Sequence, residues 1–204
     1  MKLVREFAYW KSVVVGQAKP KVPIVSYVPA SLQIPDRFLP VNSSWHGIES
    51  ILADIIGRFG VKNESCLEFG VEHGYSTVAL SNFFKSVVGV DTFCGDQHTG
   101  LLEDIYEATS RRLAPFNNIK LVKSDYKDWI RKDENFYDLI HVDIIHTYVD
   151  TFACGLWSVN HSGCTLFHDT HSFPEVMRAV IDICRETGKT FYNFQGSYGL
   201  GIVL

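Results

Sequence analysis

Residues 65–77 read SCLEFGVEHGYST, an apolar stretch follows, and residues 87–91 read VVGVD. This order predicts a buried strand, a glycine turn, a short helix and a second strand that ends in a carboxylate. In a parallel sheet, such a unit places a ligand crevice at the carboxyl ends of the strands. The stretch therefore predicts an α/β, doubly wound fold with a nucleotide-type crevice.

Glu68 indicates which kind of ligand this crevice would take. A dinucleotide fingerprint has glycine at this point, because a pyrophosphate must approach bare backbone. A carboxylate would repel a pyrophosphate, but it suits a ligand that carries positive charge. The ammonium and sulfonium groups of S-adenosylmethionine are charges of this kind, so the sequence predicts a cationic cofactor.

The composition is that of a soluble globular protein, with 204 residues, 46% hydrophobic residues and a net charge of −4. This charge does not favour a nucleic-acid partner, and no apolar run reaches the roughly 20 residues of a membrane span. The five cysteines form no C-x-x-C pair, and the N-terminus lacks a signal-peptide pattern. We expect a cytoplasmic protein with a small-molecule substrate, and the sequence leaves a homo-oligomer open.

The chain divides into two parts by composition. Residues 1–45 hold five of the seven prolines, which disfavour a long helix or a central strand. We predict a proline-rich arm that packs over the domain and over the ligand mouth, with a poorly ordered tail as the alternative. Residues 46–204 form the predicted domain.

Strand and helix patterns alternate through the predicted domain. The predicted strands cover residues 66–69, 86–90, 119–122, 136–142 and 163–167, and a terminal β-hairpin covers 190–204. The predicted helices cover residues 47–59, 75–84, 101–113 and 146–159, and a last helix opens at a capping box in 172–175. The helix over 146–159 is expected to turn Val149, Phe152, Ala153, Leu156 and Trp157 inward. This alternation predicts a mainly parallel sheet with helices on both faces and an antiparallel strand near one edge.

Acidic side chains follow several of the predicted strands. Glu68, Asp91, Asp143 and Asp169 stand at strand ends, and Asp125 lies just past the third strand. Because parallel strands bring their carboxyl ends to one edge, most of these acids should line a single site. Each acid taken alone could instead cap a helix or stabilise a turn.

The first strand–turn–helix unit holds most of the predicted cofactor contacts. Asp91 is placed to accept the ribose hydroxyl hydrogens. Gly70 and Gly74 would let the backbone approach the ligand and the helix pack closely. Ser76 and Thr77 lie in the first helical turn, where hydroxyl and backbone N–H groups can hold the carboxylate of the cofactor.

Other polar residues have roles that the sequence leaves open. Ser124 and Asp125 are placed to meet an adenine amine, but a turn role fits them equally. His168 is a candidate general base, because a neutral imidazole takes up a proton near pH 7, or else a structural histidine bonded to backbone. His146 begins a predicted helix, so it either caps the helix or reaches the site.

Three segments together resemble the class I S-adenosylmethionine-dependent methyltransferases, and most closely their small-molecule O-methyltransferase-like group. Residues 67–77 resemble motif I of that group, E-x-G-x-x-x-G-x-S-T. Residues 138–148 are similar to its D-L-I-H-I-D-G-D-H-x-Y block, residues 167–170 to its F-H-D-x block, and residues 196–204 to its last hairpin. The resemblance covers about residues 47–204.

The resemblance implies a Rossmann-like, seven-stranded sheet with an antiparallel last strand. It implies cofactor contacts at Glu68, Gly70, Ser76, Asp91 and Asp125. Relatives that methylate hydroxyl groups use a divalent metal, which implies metal ligands at Asp143 and Asp169, and Mg²⁺ prefers such oxygen ligands. With His146 and His168, the two acids are the candidate catalytic residues, and Asp143 is also a candidate cofactor contact.

The chain departs from that group directly after Asp143. The relatives usually have Gly-Asp there, whereas this chain has Ile144 and Ile145, which remove one acid and add two apolar side chains. Methyl transfer to a small-molecule hydroxyl remains the favoured function, with metal assistance left open. Two alternatives remain, namely a cofactor-binding protein without catalysis and a metal-dependent enzyme that uses His141, Asp143 and further histidines to bind iron or zinc.

Overall fold

The computed structural model describes residues 21–95 and 103–204, and these form one eight-stranded sheet in the order β1-β7-β8-β6-β5-β2-β3-β4. The strands are β1 (Ile24–Ser26), β2 (Ser65–Phe69), β3 (Ser86–Asp91), β4 (Ile119–Lys123), β5 (Tyr137–Val142), β6 (Ser162–His168), β7 (Phe191–Phe194) and β8 (Leu200–Val203). β8 runs antiparallel to β6 and β7, and the other paired strands are parallel. The doubly wound fold and the terminal hairpin are confirmed.

The strand count differs from the expected seven because the proline-rich segment adds β1 at the edge. β1 pairs in parallel with β7, and its three residues are exposed. A short edge strand suits a segment rich in proline, because only one side of the strand needs backbone partners.

Six helices pack on the sheet within the described ranges. They are α1 (Leu52–Phe59, after a 3₁₀ turn at Glu49–Ile51), α2 (Tyr75–Ser81), α3 (Tyr106–Leu113), α4 (Tyr126–Ile130), α5 (Tyr148–Asn160) and α6 (Pro174–Thr187). α3 begins later than predicted, and residues 101 and 102 of the prediction lie outside the described ranges. α4 was not predicted, because its five residues are too few to show a helical period. No helix in these ranges is long and apolar enough to cross a membrane.

The predicted inward face of α5 is wrong at Val149 and Ala153. Phe152, Leu156 and Trp157 are partly buried against the core, as predicted. Val149 is 72% exposed and Ala153 is exposed, whereas the buried face consists mainly of small residues, including Gly155. A Cβ on Gly155 would lie 2.5 Å from a ring carbon of Phe167 and 2.7 Å from the Cδ1 atom of Ile183. Close approach to β6 and α6 therefore selects the small-residue face, and the larger apolar side chains flank it.

The predicted capping box before α6 is also wrong. The helix begins with Pro174 at its first turn, but no side chain caps its N-terminus. The Ser172 hydroxyl donates to the Tyr198 carbonyl, and a Glu175 oxygen accepts from the Tyr148 backbone N–H at 3.1 Å. Both side chains join neighbouring segments instead of closing the helix locally.

Residues 21–45 contact the rest of the chain at several points. The Tyr27 hydroxyl donates to Asp54 on α1, and a guanidinium nitrogen of Arg37 donates to the Ser81 carbonyl at the end of α2. Trp45 is 2% exposed and belongs to the main apolar core. The division into an arm (residues 1–45) and a domain (residues 46–204) stays a prediction.

Candidate active site

A cavity of about 850 Å³ opens at the carboxyl ends of the parallel strands. It lies beside β2, where β3 and β5 flank the strand on opposite sides and the strand order reverses. This switch point is where open α/β sheets bind ligands, and the volume is within the usual ~300–1,000 Å³ of small-molecule sites. The sequence-predicted residues on its wall are Gly70, Ser76, Asp91, Ser124, Asp125, Asp143, His146, His168 and Asp169.

The glycine turn after β2 has a backbone that only glycine adopts without strain. Gly70 has a φ of 90° and Gly74 a φ of 87°. A Cβ on Gly70 would overlap the carbonyl oxygen of Asp143, and one on Gly74 would lie 2.6 Å from Leu113. Gly70 thus lets β2 and β5 approach each other, and Gly74 lets α2 pack against α3.

Asp91 organises the same turn from the end of β3. One carboxylate oxygen accepts the backbone N–H groups of Val71 and Glu72, both at 2.8 Å, and the other accepts the N–H of Phe93 at 2.7 Å. An ionised carboxylate has about four acceptor positions, so the second oxygen keeps capacity for a ligand hydroxyl. Asp91 therefore shapes the turn as well as lining the cavity.

Ser124 and Asp125 lie on the cavity wall beside Asp91. The Ser124 backbone N–H donates to the Asp91 carbonyl at 2.9 Å. Asp125 is the N-cap of α4, with its side chain accepting from the Lys127 N–H at 2.7 Å. The helix-capping role and the position on the cavity wall are thus both present at Asp125.

The structure does not bring Glu68, Gly74 or Thr77 to the cavity wall. Glu68 is fully buried, its Oε1 atom lies 3.0 Å from Nδ1 of His141, and its other oxygen accepts from the Thr77 hydroxyl. The prediction that Glu68 faces the ligand directly is therefore corrected. Its side chain leaves β2 one pleat before the strand end, where a neighbouring strand and α2 enclose it.

Four ionisable side chains form a compact group at the ends of β5 and β6, which we call the acid–histidine cluster. Nε2 of His146 lies 2.9 Å from Oδ2 of Asp169 and 3.6 Å from Oδ1 of Asp143. Nδ1 of His168 lies 3.1 Å from Oδ2 of Asp143 and 3.2 Å from Oδ2 of Asp169. Each imidazole thus lies between the two carboxylates.

The cluster holds its charges strongly. Burial alone would lower the pKa of each histidine, but Asp143 and Asp169 outweigh it and raise the pKa of His146 to about 9 and that of His168 to about 10. Burial alone would raise the pKa of Asp143, but the two histidines hold it well below its usual range. Near neutral pH, the resting cluster therefore contains two carboxylates and two imidazolium groups.

This charge pairing predicts a stability that falls on the alkaline side of neutrality. Both histidine pKa values are raised above the unfolded value of 6.5, so their contribution is complete below about pH 6.5 and is lost as the pH rises through 9 and 10. For His146 alone, the raised pKa corresponds to a contribution of about 3 kcal/mol to the free energy of unfolding. Urea unfolding of metal-free protein between about pH 7 and pH 10 should show this fall. In a double variant, His146→Asn with His168→Asn, the part of this fall that comes from the cluster should be absent. If the free energy of unfolding changed equally with pH in the wild type and the double variant, the prediction would be contradicted.

Three of the four cluster residues also form a potential metal site. One ligand atom each from Asp143, His146 and Asp169 lie within 4.8 Å of one another. His141, which the sequence offered as a further metal ligand, is buried against Glu68 instead. The predicted His-x-Asp set therefore does not assemble.

Sequence reasoning assigned no individual residue to several parts of the cavity wall, although it predicted that the proline-rich segment packs over the ligand mouth. Residues 42–45 line it from the proline-rich segment, and Tyr198 lines it from the hairpin turn. Phe173 stacks on the His146 ring with centroids 4.1 Å apart. Nothing in the local sequence marks Trp45, the last residue of the predicted arm, as part of the cavity wall.

The comparisons with known proteins agree with this geometry. A family model described as a methyltransferase domain matches residues 67–170, which is just over half of the chain, so the chain belongs to this family of methyltransferase domains. Together with the fold, this confirms the prediction of a class I, S-adenosylmethionine-dependent methyltransferase that resembles the small-molecule O-methyltransferase group. No curated protein sequence matched the chain.

Solved structures share the fold at low sequence identity. An O-methyltransferase from Bacillus cereus in complex with S-adenosylhomocysteine has a TM-score of 0.57 at 15% identity, covering 81% of this chain and 84% of its own. An S-adenosylmethionine-bound amino pentose methyltransferase from Micromonospora echinaspora has a TM-score of 0.58 at 11% identity, covering 79% and 92%. A third, an O-methyltransferase of tomaymycin synthesis from Streptomyces achromogenes in complex with S-adenosylmethionine, has a TM-score of 0.54 at 14% identity, covering 73% and 76%.

Proposed function

We propose that this protein transfers the methyl group of S-adenosylmethionine to a hydroxyl group of a small-molecule acceptor. The observation that carries the proposal is the acid–histidine cluster, because it lies on the wall of the same cavity as the glycine turn and Asp91. A single cavity can thus hold a methyl donor at one end and present a proton acceptor at the other. Family membership supports the methyl-transfer part of the proposal.

The cofactor would occupy the end of the cavity beside β2, β3 and β4. Asp91 would accept a ribose hydroxyl, Ser124 and Asp125 would meet the adenine, and Ser76 with the N–H groups of the first turn of α2 would hold the carboxylate. The positive sulfonium would then lie toward Asp143, the acid that directly follows β5. This arrangement gives the positive charge of the cofactor a carboxylate partner, a role that the buried Glu68 does not fill.

His146 is the proposed general base for the acceptor hydroxyl. His146 is part of the cavity wall, and its imidazole is held by Asp169 on one side and by the Phe173 ring on the other. Its raised pKa keeps it protonated in the resting protein, but a positive charge beside Asp143 would weaken that hold and lower the pKa. His146 would thereby become a better proton acceptor when the methyl donor is in place.

The remaining contribution of the chain is positioning and the exclusion of water. Ile144, Ile145 and Phe173 give the acceptor end apolar walls next to the charged cluster. An in-line displacement gains most from holding the attacking oxygen near the methyl carbon in a dehydrated site. The apolar pair that replaces Gly-Asp of the relatives serves this purpose in the proposed reaction.

A metal-assisted version of the same reaction is the second candidate. The donor set of Asp143, His146 and Asp169 favours it, and a bound Mg²⁺ would lower the pKa of an acceptor hydroxyl. The fit is partial, because His146 must lose its proton to become a ligand. Magnesium binding should therefore release protons, which calorimetry in two buffers of different ionisation enthalpy would detect.

Calorimetric titration with S-adenosylmethionine and S-adenosylhomocysteine, with Mg²⁺ or with EDTA, tests the proposal first. We expect micromolar binding of both ligands in EDTA, followed by methylation of members of a hydroxyl-bearing acceptor panel. Binding without turnover on any acceptor would favour a cofactor-binding protein without catalysis. Absence of binding would reject the proposal, and iron or zinc in the purified protein would favour the metal-dependent alternative.

Replacement of Asp91 by alanine should weaken S-adenosylhomocysteine binding by about 1–3 kcal/mol. The change removes the proposed ribose acceptor and the anchor of three backbone N–H groups in the turns around it. Asp128→Ala is the matched control, since Asp128 is exposed on α4 and pairs with Arg131 away from the cavity. Equal affinity of the Asp91 variant and the control would remove Asp91 from the cofactor site.

A further inference from the structure

A buried polar network lies directly beneath the cavity floor and takes no part in the acid–histidine cluster. Nε1 of Trp45 lies 3.2 Å from Nε2 of His141, and Nδ1 of His141 lies 3.0 Å from Oε1 of Glu68. The Thr77 hydroxyl donates to the second oxygen of Glu68. We call Trp45, His141, Glu68 and Thr77 the buried relay, and none of the four is more than 2% exposed.

The direction of the relay follows from the chemistry of the indole group. An indole N–H only donates, so Nε2 of His141 must accept from Trp45. The ring proton of His141 then lies on Nδ1 and points at Glu68, which accepts from His141 and from Thr77. Trp45 therefore selects the histidine tautomer that the carboxylate of Glu68 requires.

The relay lies one pleat below residues that line the cavity. Glu68 on β2 and His141 on β5 are register partners. Gly70 and Asp143 come two residues after them in the chain, and both line the cavity. Residues two apart on a strand share a face, so the relay and the cavity floor belong to the same side of the sheet. Thr77 follows Ser76 in the first turn of α2, and Trp45 itself lines the cavity.

We infer that Trp45 is a positioning residue for the cofactor end of the cavity. Its N–H sets the proton of His141, His141 orients Glu68, and Glu68 holds the first turn of α2 through Thr77. The turn that carries Ser76 and the wall formed by residues 42–45 are thereby tied to one another through the sheet. This inference rests on the proposed function, because it places S-adenosylmethionine between these two walls.

A double-mutant cycle on S-adenosylhomocysteine affinity tests the inference. Trp45→Phe removes the N–H donor and keeps an aromatic ring, and Thr77→Val removes the hydroxyl at the opposite end. We expect each single variant to raise Kd about 5–10-fold. The factor by which the double variant raises Kd should be well below the product of the two single factors. Trp45 and Thr77 are joined through His141 and Glu68, so multiplicative effects would show two independent structural roles and overturn the inference.

Trp129→Phe is the matched control for the indole substitution. Nε1 of Trp129 donates to Asp133 at 3.0 Å, and Trp129 is not among the described residues that line the cavity. Trp129→Phe also loses an indole hydrogen bond, but it does so away from the cavity. The Kd of this variant for S-adenosylhomocysteine should therefore equal that of the wild type. If Trp45→Phe fails to fold, 3-benzothienylalanine at position 45 removes the N–H at nearly constant shape and takes its place in the cycle.

The tautomer of His141 provides a readout that needs no ligand. Imidazole ¹⁵N shifts should place its proton on Nδ1 in the wild type and should change in Trp45→Phe. If the ring proton of His141 were on Nε2 in the wild-type protein, the inference would be overturned even if the protein bound S-adenosylhomocysteine normally. Failure of the wild type to bind S-adenosylhomocysteine would reject the proposed function as well, whereas normal wild-type binding with unchanged affinity in Trp45→Phe would reject the relay alone.

Discussion

Replacement of His146 by asparagine is expected to slow methyl transfer by about 10²–10⁴-fold, the usual contribution of a positioned general base. Asparagine keeps a polar side chain at this point of the acid–histidine cluster but cannot take up the hydroxyl proton. The measurement is single-turnover transfer from S-adenosylmethionine to an acceptor that the wild-type protein methylates. The affinity for S-adenosylhomocysteine should change little, because the loss lies at the acceptor end of the cavity.

His171→Asn is the matched control for this experiment. His171 is exposed and lies outside the described cavity wall, and its backbone N–H donates to the Tyr198 carbonyl at 2.9 Å. The control should transfer methyl groups at the wild-type rate. A His146→Asn rate within a few-fold of wild type would exclude His146 as the base.

The pH dependence of the rate distinguishes a base from a residue that only supports the cluster. His146 is active when neutral, so the wild-type rate should rise with pH and level off at or below about 9, the pKa of the histidine without cofactor. The proposed shift on cofactor binding moves this plateau to lower pH. The rate of His146→Asn should lack this rise.

Replacement of Gly70 by alanine is expected to destabilise the protein by about 3 kcal/mol or more and to abolish cofactor binding. Two costs add at this position. The φ of 90° disfavours any residue with a Cβ, and the added Cβ would overlap the carbonyl oxygen of Asp143. Relief of the overlap requires β2 and β5 to separate at the cavity floor. Urea unfolding and calorimetry with S-adenosylhomocysteine measure the two effects.

Two other glycines separate the contributions. Gly188 has a φ of 71° with open space around it, so Gly188→Ala should cost only the backbone term of about 1 kcal/mol. Gly57 lies inside α1, and a Cβ added to it would meet no other part of the chain within 4 Å, so Gly57→Ala should stabilise the helix by about 1 kcal/mol. If Gly70→Ala lowered the free energy of unfolding no more than Gly188→Ala, the overlap with Asp143 would be relieved by a small local shift, and the prediction would be wrong.

The sequence by itself determined the order of elements and the edge at which the polar residues meet. The strand, glycine turn, helix and strand over residues 65–91 follow from local patterns of apolar residues and glycine. The convergence of Asp91, Asp125, Asp143 and Asp169 follows from a geometric rule, because parallel strands end at one edge whatever their side chains. Family membership was equally accessible, since the motifs are contiguous in the chain.

Only the tertiary structure decided which side chains face the ligand and which face one another. Glu68 was predicted to meet a cationic cofactor, but His141 and Trp45, remote from it in the chain, enclose it. The inward face of α5 was decided by how closely β6 and α6 approach, which favours glycine and other small residues over larger apolar ones. The charge state of His146 likewise depends on carboxylates supplied by two different strands. These features depend on distances between segments that no local pattern encodes, because burial and electrostatic pairing are set by non-neighbouring residues.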